Sequence, residues 1–132
     1  MLGDLNETPD SASLAPLTGD ARLGRALERI PAEADRWTHW YRGENSVSEL
    51  DHLLLSPALA RRTAGIVPVI ERRGIGYART LADGLPGPRR TTFVRGDDDP
   101  NPIPVDFRFP RFAGVTPDAY ASDHCPIVLD LG

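Results

Sequence analysis

The chain contains no lysine: its fifteen cationic side chains are all arginines. Arginine's planar fork suits bidentate contact with phosphate, but these arginines are scattered along the chain, which reads as compositional bias rather than a built surface. Nineteen carboxylates outnumber them and leave a net charge of −4. That balance excludes a protein that holds nucleic acid through a broad cationic face, because such binding is driven by neutralising phosphates; it leaves a nuclease open. A single cysteine, Cys125, excludes an internal disulfide framework and leaves the redox compartment, and with it a cytoplasmic or secreted location, undetermined. No apolar run approaches the roughly 20 residues that span a bilayer. Residues 1–10 also lack the cationic start and apolar stretch of a signal peptide.

What is present is ordinary for a folded domain. With 132 residues, 40% hydrophobic and 26% charged, the chain has the size and apolar content for one core. No internal repeat is visible, and no linker divides it, so residues 1–132 read as one domain.

Met1 and Leu2 read as the end of a strand that runs into a tight turn, Gly3 to Asn6. A Pro/Ser/Ala-rich stretch over 8–19 has room for one short helical turn. Asp20 then reads as the N-cap of a helix with Leu23, Leu27 and Ile30 on one face and Pro31 beyond its end. The β-favouring run 36–42 and the run 49–55 predict a hairpin about a Gly43-Glu44-Asn45 turn. Ser56-Pro57 opens another helical turn, and 64–71 predicts a strand that Pro68 confines to an edge or bulge. From Gly74 to Pro110 the chain is broken by Gly, Pro and Asp and reads as loops with short strands such as Thr91 to Arg95; Pro126 to Leu131 closes with an apolar strand.

Three polar clusters fall where strands meet loops: Gly3-Asp4-Leu5-Asn6, Leu50-Asp51-His52 and Ser122-Asp123-His124. Strand ends are where a rigid sheet presents polar groups to a substrate. Singly, each has a plain structural explanation, a turn former or a strand start. Their order is more specific. A strand ending in Gly-Asp-x-Asn, then Glu7-Thr8-Pro9-Asp10-Ser11, then Leu50 to Ser56, then Ser-Asp-His-x-Pro-Ile at Ser122 to Ile127, resembles the C-terminal half of the endonuclease/exonuclease/phosphatase superfamily of metal-dependent phosphoesterases.

The resemblance implies an α/β (α+β) fold: the C-terminal half of a deoxyribonuclease I-like α/β/β/α sandwich, one mixed sheet with flanking helices. It implies hydrolysis of phosphodiester bonds with Mg²⁺ or Mn²⁺, in which Asp4 orients or deprotonates the attacking water and Asn6 hydrogen-bonds a phosphate oxygen. His124 would contact the scissile phosphate, Asp51 would hold its imidazole, and Asp123 with Asp4 would lie at the metal. The chemistry is coherent, since phosphodiester hydrolysis needs a positioned water, relief of charge on the non-bridging oxygens and a cation. A carboxylate on a histidine nitrogen fixes its tautomer, and Asp oxygens suit Mg²⁺ or Mn²⁺ better than zinc.

The family's N-terminal half supplies an Asn, the Glu that is the main metal ligand, and a second His or Tyr, and the 132 residues hold no place for them. The expectation is therefore an incomplete domain with little catalysis of its own and a possible partner in the missing half. The alternative is a non-catalytic remnant or interaction module. The substrate is left open among DNA, RNA, lipid and small phosphodiesters, although the 37–42 and 50–56 segments look most like the bacterial nuclease-like branch.

Other residues read as structural. His39, in Trp37-Thr38-His39-Trp40-Tyr41, is expected to be strand filler, and His52, on the opposite strand face from Asp51, is expected to be structural. Asp97-Asp98-Asp99 lacks the spacing of a calcium loop and reads as a solvated turn. Cys125 reads as a small core residue, and Trp37 and Trp40 as core rather than as stacking platforms for bases.

Overall fold

Strand formation here is set by alternation, and the clearest case is residues 39–48. A computed structural model describes residues 1–41, 43–72, 75, 89–107 and 122–131. In it β3 (His39–Tyr41) and β4 (Ser46–Ser48) form an antiparallel hairpin in which Trp40 lies opposite Val47. Both of these side chains point into the core, while His39, Tyr41, Ser46 and Ser48 occupy the other face. The turn is the expected Gly43-Glu44-Asn45, with Asn45 in the left-handed region (φ 54°) that asparagine tolerates.

The hairpin's second strand is not the one expected. Residues 46–48 pair with β3, whereas β5 (Asp51–Leu55) lies in another sheet, between β1 (Leu2–Asp4) and β2 (Gly24–Arg25). The chain changes sheets at Glu49-Leu50 because of Thr38. The fully buried Thr38 Oγ1 accepts hydrogen bonds from the N–H groups of Leu50 (3.1 Å) and Asp51 (2.9 Å). These donors are thereby drawn off the ladder that would have continued β4.

The helix expected from Asp20 does not form. Asp20 adopts φ 53° inside a 3₁₀ turn (Gly19–Ala21), β2 follows, and a second 3₁₀ turn covers Ala26–Arg29. Tertiary partners outweigh local propensity. Gly24 and Arg25 pair with Leu55 and Leu54, and the Arg25 guanidinium reaches the buried Glu49 carboxylate at 2.9 Å. The remaining helices are short. They are α1 (Ala15–Thr18), α2 (Pro57–Arg62) and a 3₁₀ turn at Glu33–Asp35. Ser56 caps α2 as expected, accepting from the Leu59 N–H at 3.3 Å with Pro57 in the first turn. Arg29 closes the other end of α2, donating to the carbonyls of Ala60, Thr63 and Ile66.

β7 (Arg89–Phe93) joins β4 in parallel and β8 (Ile103–Phe107) in antiparallel fashion, giving the order β3-β4-β7-β8. β6 (Val69–Ile70) and β9 (Ile127–Val128) form a two-stranded ribbon. The strand expected over 64–71 is thus confined to the two residues after Pro68. The architecture is α+β. Among the described residues its strands form three sheets rather than the single sheet expected, and few helices flank them. Arg42, Gly74, the Leu85-Pro88 segment and the end of the loop region expected up to Pro110 lie outside the described residues.

Trp37, Trp40, Val47, Ile75, Phe93, Val105 and Cys125 make the core, so both tryptophans and the cysteine are packing residues as expected. Arg72 covers this core with its guanidinium 4.1 Å from the Trp37 ring centre and donates to the Trp37 carbonyl. No helix among the described residues is long and apolar enough to cross a membrane.

Replacing the Thr38 hydroxyl with a methyl group leaves two N–H donors without their acceptor. Thr38→Val is expected to lower unfolding free energy by about 2 kcal/mol, and Thr38→Ser, which keeps the oxygen, by much less. Urea unfolding of the three proteins measures the difference.

Candidate functional site

Three segments far apart in sequence converge on one point. Asp4 ends β1 and Asp51 begins β5, and the antiparallel register places them opposite one another. His124 arrives from the other side. Trp40 N–H donates to the Asp123 carbonyl (2.9 Å) and Cys125 N–H to the Thr38 carbonyl (2.6 Å), so the chain on both sides of His124 is bonded to the β3 segment. Ser122 Oγ accepts the His124 N–H at 3.0 Å, which folds Ser-Asp-His into a tight turn.

His124 Nδ1 lies 2.9 Å from Asp51 Oδ2. A carboxylate can only accept, so the proton sits on Nδ1 and Nε2 points away from β5. Nε2 is 3.9 Å from Asp4 Oδ2. The three side chains grade outwards: Asp51 is 13% exposed, His124 27% and Asp4 40%. The most sheltered group is therefore the one that orients, and the two more open ones face solvent.

Asp4 is itself held. Its Oδ1 accepts the Asn6 N–H at 2.8 Å, and Asn6 sits at φ 51°, so the Asp-x-Asn element is a side-chain-closed turn. The Asn6 side chain is exposed. Behind this loop, His52 Nε2 meets the Glu7 carbonyl at 2.7 Å. Since the carbonyl accepts, His52 donates from Nε2, and its buried ring holds the loop from the face of β5 opposite Asp51. His52 is structural, as expected, with Glu49 Oε1 3.7 Å from its Nδ1. Burial raises the Glu49 pKa despite the neighbouring Arg25.

Ligand atoms of Asp4, Asp51 and His124 lie within 4.8 Å of one another, the group among the described residues able to hold a metal ion. Asp51 Oδ2 and His124 Nδ1 are engaged with each other. The donors left are carboxylate oxygens and one imidazole nitrogen, a set that fits Mn²⁺, or Mg²⁺ keeping most of its water. Asp123 stands outside this group. Its carboxylate is 63% exposed and lies 3.9 Å from His39 Nε2.

His39 is the residue sequence reasoning placed wrongly. Its ring centre is 4.6 Å from that of His124, so it borders the site rather than being strand filler alone. The signal was present in the alternation of Trp37-Thr38-His39-Trp40-Tyr41, which puts His39 and Tyr41 on the face opposite Trp40. Other expected roles are more modest. Asp99 closes a turn by accepting from the N–H groups of Arg95 and Asn101, both at 2.9 Å, and Asp97 and Asp98 are exposed. Burial pushes the Cys125 thiol up to about 12, which removes it as a nucleophile.

Burial, with the adjacent His124 ring, lowers the pKa of His39 below its ordinary 6.5. The folded state thus favours neutral His39, and its contribution to stability is complete above the ordinary value and lost as pH falls through the folded one. Between about pH 7.5 and about pH 5.5 the wild type is expected to lose more unfolding free energy than His39→Gln, as read from urea midpoints. Equal losses would show that His39 titrates alike in both states. No family model, no curated protein and no solved structure matches the chain.

Proposed function

We propose that the chain is a metal-dependent phosphoesterase of the endonuclease/exonuclease/phosphatase kind that hydrolyses phosphodiester bonds. One observation carries this reading. A histidine fixed at Nδ1 by a carboxylate at 2.9 Å turns its Nε2 towards a second, solvent-open carboxylate at 3.9 Å. A positioned imidazole beside a solvent-open carboxylate is a pair of proton-handling groups with separate environments.

In this reading Asp4 orients the attacking water and takes its proton as the water oxygen bonds to phosphorus. His124, carrying protons on both nitrogens, gives the Nε2 proton to the departing alkoxide as the phosphorus–oxygen bond breaks. Asp51 keeps the imidazole turned for that transfer and stabilises its charge. Asn6, exposed at the tip of the Asp4 turn, supplies an amide to a non-bridging oxygen. Mg²⁺ or Mn²⁺ held by Asp4 and Asp51, when bound, would neutralise charge on the phosphate oxygens.

A second reading, a non-catalytic module that works against a partner, draws on a separate feature. An apolar groove of about 340 Å³ is lined by Leu2, Leu55, Leu59, Ile127, Val128 and Leu131. Several of these residues are exposed.

Hydrolysis of bis(p-nitrophenyl) phosphate by the purified chain with Mn²⁺ or Mg²⁺ separates the two. In keeping with the little catalysis expected of the chain on its own, the enzyme reading expects weak metal-dependent turnover that His124→Ala lowers by about a hundredfold or more and Asp51→Asn by a comparable factor. Turnover that both substitutions leave unchanged, or no turnover with either metal, would overturn it in favour of the module.

A further inference from the structure

Beside the Asp4, Asp51 and His124 group, across the His39 ring, lies a cavity of about 450 Å³. That volume falls within the range of small-molecule sites. The β3–β4 hairpin forms its floor by strand parity. His39 and Tyr41 alternate with the core residue Trp40, Ser46 and Ser48 alternate with Val47, and the register sets His39 across from Ser48 and Tyr41 across from Ser46. All four line the cavity.

The two serines are the feature that asks for a ligand. Both are more than nine-tenths buried, at 8% and 9% exposure, and both face the cavity. Among the described residues neither hydroxyl has a hydrogen-bond partner. Neither oxygen is sealed off from solvent, so each can pair with a group that enters the cavity.

The charge of the lining says what kind of ligand. Glu44 and Asp97 bring carboxylates, both residues are exposed at the mouth, and among the described residues no arginine lines the cavity. An anion would meet repulsion here. A bare divalent ion would need several donor atoms close together, and the described residues gather such a set at Asp4, Asp51 and His124 rather than here. The rest of the wall is apolar or aromatic: the Tyr41 ring, Leu50 and Val94. Carboxylates for charge, hydroxyl oxygens to accept N–H bonds and an aromatic face suit an organic cation with a short apolar body.

We propose that this cavity binds a small organic cation, an ammonium or guanidinium group on a short apolar stem. The proposal is independent of the phosphoesterase reading and needs no turnover to test. The full chain is titrated with ethylammonium chloride and followed by amide NMR shifts, with sodium acetate and magnesium chloride as parallel titrants. The expected result is saturable shifts at Ser46, Ser48 and Gly96 with ethylammonium alone, undiminished in Asp4→Asn. The double substitution Glu44→Gln with Asp97→Asn changes only exposed groups and should raise Kd about tenfold or more. Ser48→Ala should weaken binding in the same direction. Acetate or Mg²⁺ moving the same amides, shifts that grow without saturating, or a double variant that binds as well as the wild type would each overturn it.

Discussion

Thr38 is the point on which the site depends. Its N–H donates to the Ser48 carbonyl at 2.9 Å, its hydroxyl oxygen takes the N–H groups of Leu50 and Asp51, and its own carbonyl takes the Cys125 N–H. One buried residue thus ties the β3 segment to the end of β4, to the start of β5 and to the strand-like segment that carries His124. The Asp51–His124 hydrogen bond spans 73 positions of sequence. It needs both partners placed within a few tenths of an ångström, and Thr38 fixes the backbone beside each of them. A side-chain acceptor serves better here than a ladder bond would, because it lets the chain leave one sheet and enter another without orphaning the intervening donors.

The polar clusters were legible because each is local. Gly-Asp-x-Asn, Asp51 at a strand start and Ser-Asp-His can each be read from a few neighbouring residues, and the order of the three suggested that they meet. The structure brings Asp4, Asp51 and His124 together and leaves Asp123 on the far side, next to His39. That distinction was beyond sequence because adjacent residues on an extended segment point to opposite sides. Which of Asp123 and His124 faces β5 is decided by the bonds from Trp40 and to Thr38, and both partners are remote in sequence. His39 follows the same logic with a different result: its face was readable by counting from Trp40, but what occupied that face was not.

The two misread elements fail for one reason. Residues 20–30 carry helical spacing at Leu23, Leu27 and Ile30, yet Arg25 is held by Glu49 and Gly24-Arg25 is held by β5. Residues 49–55 carry strand propensity, yet their partners are β1 and β2 rather than β3. In the first case a polar contact from elsewhere replaced the expected helix; in the second the expected strand formed, and the bonds to Thr38 turned it towards other partners. The short 56–62 helix escaped this because its determinants, the Ser56 cap and Pro57, are contained within it.

Strand parity gives β5 two tasks at once. Asp51 faces the site and orients His124, and His52, one residue on, faces inward and holds the Glu7 carbonyl. The loop bearing Asp4 and Asn6 is therefore fixed relative to the very strand that fixes the histidine, so the spacing between Asp4 and His124 is set within one rigid element. The buried Glu49 and His52, with the half-buried Arg25 behind them, have a directional character that apolar residues of the same volume lack. Leucines at these positions would fill the space, and such replacements often match or exceed the stability of a buried ion pair. They would leave the Glu7 carbonyl without its donor and the loop free to choose its own height over the sheet. The polar interior of β5 is thus explained by the placement of Asp4, a matter of geometry at the site, more readily than by stability.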